Sequence, residues 1–224
     1  MRNVYEKRRG VDLVDKFVDD WARKPKAQIS GRIKDKLHPT PLKERINQTL
    51  FRLKMVQRKL EDSHLRTEHK YKRLFDKCVN AQRVKDQAAS IMYANESAQL
   101  RTIGKTLVSA KLALEQVVLR LETVKDFGDV ATEIMPAAET IRAVKGRLEG
   151  IIPEVSMQLG SINQSLDSLV LEAGEATGMS WSAIASGEEA EKILVEATMI
   201  AEQKIRDGFP ELPTTGVERG VNPP

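Results

Sequence analysis

A chain of 224 residues with 41% hydrophobic residues can bury a modest core, yet aromatics make up only 4% of it and charged residues 30%. Ala, Leu, Glu, Lys and Arg dominate long stretches, a composition of long helices and coiled coils that excludes a β-rich or α/β enzyme. The formal net charge of +4 conceals a division: residues 1–120 hold 28 Lys and Arg against 14 Asp and Glu, while residues 121–224 hold 8 against 18.

A basic half suits a polyanionic partner such as an anionic bilayer or nucleic acid, and an acidic half in the same chain can fold back on it or pair with a neighbouring copy. The single cysteine, Cys78, excludes an internal disulfide and fits a reducing compartment. No apolar run approaches the roughly 18 residues of a transmembrane helix, and "MRNVYEKRRG" lacks the apolar region of a signal peptide. The expectation is a cytoplasmic protein, free or peripheral on a membrane.

Residues 1–24 carry a short amphipathic helix: Val11, Val14, Val18 and Trp21 share a face with Leu13 and Phe17 beside them, and Asp12, Asp15 and Asp19 lie opposite. This helix can insert among lipid headgroups or pack on the body or a neighbouring subunit, and its acidic polar face disfavours an anionic surface. Residues 25–40 form a basic linker punctuated by Pro25, Gly31 and Pro39.

From Leu42 a helical pattern runs for about 85 residues. Ile46, Leu50, Leu53, Val56 and Leu60 form an apolar seam, and beside it Arg45, Arg52, Lys59, Arg66 and Arg73 recur every seven residues along one side. The seam fades in "KCVNAQRVKDQAAS", the candidate turn or weak point. It resumes as Ile103, Leu107, Ala110, Leu114, Val117, Leu121 and Val124, with 4-3 spacing that needs a partner helix. "KDFGDV" ends the long helix at Gly128. Shorter helices follow over residues 129–173, with Pro136 and Pro153 as expected starts and Gly150 and Gly174 as ends. Residues 174–224 hold an amphipathic helix, Glu191 to Arg206, and a proline-rich tail.

"RTIGKT", residues 101–106, ends like a phosphate-binding loop, but that loop needs a glycine where Gln99 stands and a strand before it, and the pattern on both sides is helical. Helix continuation explains Gly104 and Lys105 better. Gly104 costs about 1 kcal/mol relative to Ala inside a helix, and a close backbone approach by the partner helix is one compensation. His38, His64 and His69 have no metal-ligand spacing and read as surface histidines, and Cys78 reads as a structural thiol. No catalytic residue, metal site or cofactor is expected. The basic row has little aromatic company beyond Phe51, Tyr71 and Phe75, which favours a membrane over nucleic acid, with a nucleic-acid-binding or structural coiled coil as the alternative.

The run "YANESAQLRTIGKTLVSAKLALEQVVLRLETVKDFGDV", Tyr93 to Val130, closely resembles the second-helix core of archaeal ESCRT-III-like cell-division proteins, the CdvB family. "PLKERI" before it and "LEGIIPEVSMQL" after it extend the resemblance over about residues 41–173. It implies an all-α ESCRT-III fold, a long hairpin over about residues 41–126 followed by shorter helices. It also implies a non-enzymatic subunit that polymerises with itself and with paralogs into membrane-associated filaments at the division site and constricts the membrane there. An AAA+ ATPase extracts such subunits through its MIT domain, for which "FPELP", with Phe209, Pro210, Leu212 and Pro213, is similar to a proline-containing binding motif, and the preceding helix, Glu191 to Arg206, is a second candidate. Nothing after Arg206 is long enough for the winged helix of the longer CdvB member, so the resemblance is to a shorter paralog.

Overall fold

The computed structural model describes residues 42–127, 130–177 and 183–211, with the side chains of Phe127, residues 130–132, 173–177 and 183–186 left aside. The expected amphipathic helix at Val11, Val14, Phe17, Val18 and Trp21, the basic linker, and Leu212 and Pro213 lie outside these residues.

The described residues are all-helical, as expected. Helix α1 (Leu42–Arg83) and helix α2 (Gln87–Phe127) form an antiparallel hairpin, held in register by Lys54 Nζ on Glu122 at 2.7 Å and by Lys111 on Glu61. The chain reverses at Val84–Asp86 inside the stretch where the apolar seam fades. Lys85 takes the left-handed conformation there (φ 60°), and the Asp86 carboxylate accepts the Ala89 N–H at 3.0 Å, capping α2 at its N-terminus.

Forty-two residues at about 1.5 Å each make α1 roughly 63 Å long. Its two halves are built differently. Near the open end Ile46, Leu50, Leu53, Val56 and Leu60 bury against Leu107, Leu114, Val117, Leu121 and Val124, with Ile103 partly buried at the edge of the same core. Toward the tip the buried side chains are small or polar: Thr67, Cys78 and Ala81 on α1, Ser90 and Ser97 on α2, with Tyr71 the large exception. Cys78 Sγ lies 3.5 Å from the Ser90 carbonyl oxygen, so it is a buried structural thiol.

Helix α3 (Val130–Leu148) and helix α4 (Pro153–Thr177) make a second, shorter hairpin against the leucine-rich half. Each carries a stripe at three- and four-residue spacing, Ile134, Ala137, Ala138, Ile141, Val144 and Leu148 on α3 and Val155, Leu159, Ile162, Leu166 and Leu169 on α4. Pro153 opens α4 as expected. Pro136 does not open α3: it lies inside a helix that already runs from Val130, so its missing N–H falls in the helix body. Helix α5 (Ala183–Gly208) starts earlier than its amphipathic pattern suggests and folds back antiparallel to α2, burying Ala190, Ile193, Leu194, Ala197, Ala201 and Ile205.

Leu114 is fully buried in this core and Leu119 is 62% exposed on the same helix. Leu114→Ala is expected to lower unfolding stability by about 2–5 kcal/mol and Leu119→Ala by less than about 0.5 kcal/mol, measured by denaturant titration. Asp86→Ala should cost about 1 kcal/mol through loss of the cap.

Candidate functional site

Three features of the hairpin surface are candidates for function: the basic row of α1, the line where α5 lies on α2, and the seat of the segment that follows α5.

The seven-residue row of cations is divided by the fold. Arg45 Nη1 meets Glu172 at 2.5 Å, Arg52 Nη2 donates to Ser161 Oγ at 2.6 Å and Lys59 Nζ meets Glu154 at 2.5 Å, so these three face α4, which runs antiparallel beside them. The Lys59 ammonium holds the Glu154 carboxyl below the usual carboxylate range, first through the hydrogen bond and then through its charge. Arg66 and Arg73 lie beyond the end of α4 and stay exposed; Arg66 makes only a long bond of 3.4 Å to Ser63 on its own helix. Lys70 and Lys77 are exposed with them. Arg66, Lys70, Arg73 and Lys77 follow one another at spacings of four, three and four, a continuous cationic strip along the distal arm. The heptad count missed Lys70 and Lys77, which a search at helical spacing would have found.

Helix α5 is held by charge as well as by its apolar stripe. Lys105 pairs with Glu202 and holds that carboxyl below its ordinary range, and Ser109 and Thr198 hydroxyls lie 3.1 Å apart. Arg120 reaches Glu133 of α3 at 2.9 Å and Glu189 of α5 at 2.6 Å, tying three helices at one guanidinium. The "RTIGKT" stretch is helical throughout, and its Arg101, Thr102 and Lys105 line a shallow cleft with Glu202, Arg206 and Glu211.

The chain leaving α5 ends in a socket. Phe209 is fully buried, its ring centroid 4.8 Å from that of Tyr71 and 5.9 Å from that of His64. The Tyr71 hydroxyl donates to the Pro210 carbonyl oxygen, and burial pushes the phenol above its ordinary range. Gly104 forms the opposite wall: a Cβ built there would stand 2.7 Å from Phe209 Cζ, so any side chain would displace the ring. The glycine of the apparent phosphate loop is therefore a seat for an aromatic ring. Its close approach comes from the C-terminal segment and not from the partner helix, and the expectation of surface histidines fails at His64, which is partly buried with its ring beside that of Phe209. Nothing local in the sequence links Gly104, His64 and Tyr71 to Phe209.

Among the described residues no helix is long and apolar enough to cross a membrane. No family model matches the chain, and no solved structure does. Three proteins of Sulfolobus acidocaldarius are similar to it. Cell division protein B1 is 40% identical over 177 residues, covering 79% of this chain and 83% of that protein. Cell division protein B is 33% identical over 179 residues, 80% of this chain and 69% of that one. Cell division protein B3 is 29% identical over 117 residues, 52% and 68% of the two chains. With the helical hairpin and its shorter companions, these relationships establish that the chain belongs to the CdvB family of ESCRT-III-like cell-division proteins.

Proposed function

We propose that this cell-division protein is a non-enzymatic filament subunit, held here in a folded-back, soluble form that must open before it assembles on a membrane. The carrying observation is the neutralisation of the basic hairpin by the chain's own acidic half: Arg45, Lys59, Lys105 and Arg120 each meet a carboxylate from α3, α4 or α5. The same surfaces would be needed for contacts with neighbouring copies, with paralogous subunits and with lipid phosphates. Release of α5 uncovers the α2 face from Arg101 to Arg120 together with the apolar seat of Phe209.

The membrane surface of the folded-back form is the distal strip of Arg66, Lys70, Arg73 and Lys77, with Arg45, Arg52 and Lys59 joining it only after α4 moves. The apolar residues Val11, Val14, Phe17, Val18 and Trp21 are a second membrane contact in this reading. The seam from Ile103 through Leu107, Leu114, Val117, Leu121 and Val124 is the rigid rod on which copies pack, and the junction at "KDFGDV" sets their angle. Phe209, Pro210, Leu212 and Pro213 form the segment that an AAA+ ATPase takes up through its MIT domain, and the site of action is the inner face of the cell membrane at the division plane. The burial of Phe209 supports a coupling between the two: the ATPase segment is out of reach until the tail leaves its socket.

Removal of residues 183–224 is expected to convert a monodisperse protein into filaments or liposome coats in negative-stain electron microscopy with acidic lipid; an unchanged, monodisperse truncation that ignores the liposomes would count against the folded-back reading. Gly104→Ala acts as a milder version, since its methyl carbon meets the Phe209 ring while the hairpin gains helix propensity. It should speed protease cleavage after Phe209 without lowering the melting temperature of the hairpin.

In the full-length protein, Arg66→Ala with Arg73→Ala should weaken binding to acidic liposomes roughly 30-fold at low salt, from about 1 kcal/mol per basic residue. Arg45→Ala with Lys59→Ala should change it little. Equal losses from the two pairs in cosedimentation would refute the division of the row.

A further inference from the structure

His64 stands in the wall of the tail socket, and one of its polar atoms is unaccounted for. Its Nδ1 is buried and has no hydrogen-bond partner, and its ring is one wall of the Phe209 seat. The charged groups around it come from every helix that packs there: Glu61 and Glu68 one turn either side on α1, Lys111 on α2 and Lys204 on α5. Neither carboxylate hydrogen-bonds it. Glu61 is taken by Lys111 and Glu68 by Lys72, the latter at 2.6 Å.

We propose that His64 is a proton-operated release for the C-terminal segment: when its imidazole gains a proton, Phe209 leaves the socket and the end of α5 comes away from the hairpin. The neutral ring tolerates a bare, unsatisfied nitrogen; the protonated ring must place an N–H donor at Nδ1, a buried atom with no acceptor in hydrogen-bond reach. The Phe209 ring gives little in return. Its centroid lies 5.9 Å away with the rings tilted by 39°, at the outer limit of about 6 Å for cation–π attraction. Departure of the tail removes both Phe209 and Lys204 and lets water solvate the cation.

In the folded-back form burial holds the His64 pKa below its ordinary value against the opposing pull of Glu61 and then Glu68, and Lys111 and Lys204 add smaller pushes in burial's direction. Closure is therefore fully favoured above pH of about 6.5, the ordinary imidazole value. It weakens as pH falls below that value, and the loss ends once the closed-state pKa is passed. One proton is involved, so the ratio of open to closed tail rises by at most about tenfold per pH unit.

This inference rests on the folded-back form proposed above but not on assembly, and its test reads the tail directly. Hydrogen–deuterium exchange of the full-length protein over residues 201–211, at pH 7.5, 6.5 and 5.5 and corrected for intrinsic rates, should show a widening open fraction below pH 6.5. His64→Gln should flatten that dependence. An open fraction that does not vary with pH, or that varies equally in the variant, overturns the inference even if filaments form as proposed. Should His64→Gln disturb the fold, NMR titration of the His64 ring decides instead: its midpoint should lie below about 6.5 in the wild type and move up toward it in Phe209→Ala. Equal midpoints in the two proteins would also overturn the inference.

Discussion

The leucine-rich seam between α1 and α2 is the interaction on which the rest of the structure depends. Ile46 to Leu60 on one helix and Leu107 to Val124 on the other bury a continuous apolar strip, and α3, α4 and α5 complete their own amphipathic faces against that same core. No shorter helix has enough apolar surface to stand alone, and each stripe at three- and four-residue spacing is stable only because the hairpin offers a matching surface. The charge division follows the same geography. Basic residues line the hairpin, acidic residues line the helices laid on it, and the paired groups are mostly half-exposed, so they fix orientation and register more than they add stability.

Much of this was legible because helix periodicity and charge are local properties. The seam residues, the turn in "KCVNAQRVKDQAAS" and the helix start at Pro153 all follow from spacing and backbone chemistry that a few neighbouring residues determine. Pro136 shows the limit of that reading: proline favours a helix's first turn, and only the packing of Ile134 and Ala137 in the core explains why the helix carries through it. The site was less legible. The cationic row could be counted, but its division into an occupied part and an exposed part depends on where α4 ends. Gly104 offered a cost without a benefit until Phe209, distant in sequence, was found against it.

Membership of the CdvB family places the chain in cell division, and in the proposed folded-back form the contacts that hold α5 are what must give way before the subunit opens. Contacts that hold α5 are of two kinds. The apolar stripe and the Phe209 seat respond little to salt, whereas Lys105–Glu202 and Arg101–Glu211, the latter at 3.9 Å, are exposed and screened by it. Salt therefore loosens the flank of the contact before its anchor.

The two halves of the hairpin differ in how they answer a mechanical load. Interlocked leucines at the open end resist axial sliding of α1 past α2, because each large side chain must climb out of the space it fills. Toward the tip, apart from Tyr71 with Phe75 and Leu100 packed against it, the buried side chains are Thr67, Cys78, Ala81, Ser90 and Ser97, which leave a smoother track. A pull applied at the tip is thus absorbed as shear and twist of the distal arm, and the core at the other end keeps its register. The arm works as a compliant lever on a stiff base, with Tyr71 as the last bolt between them.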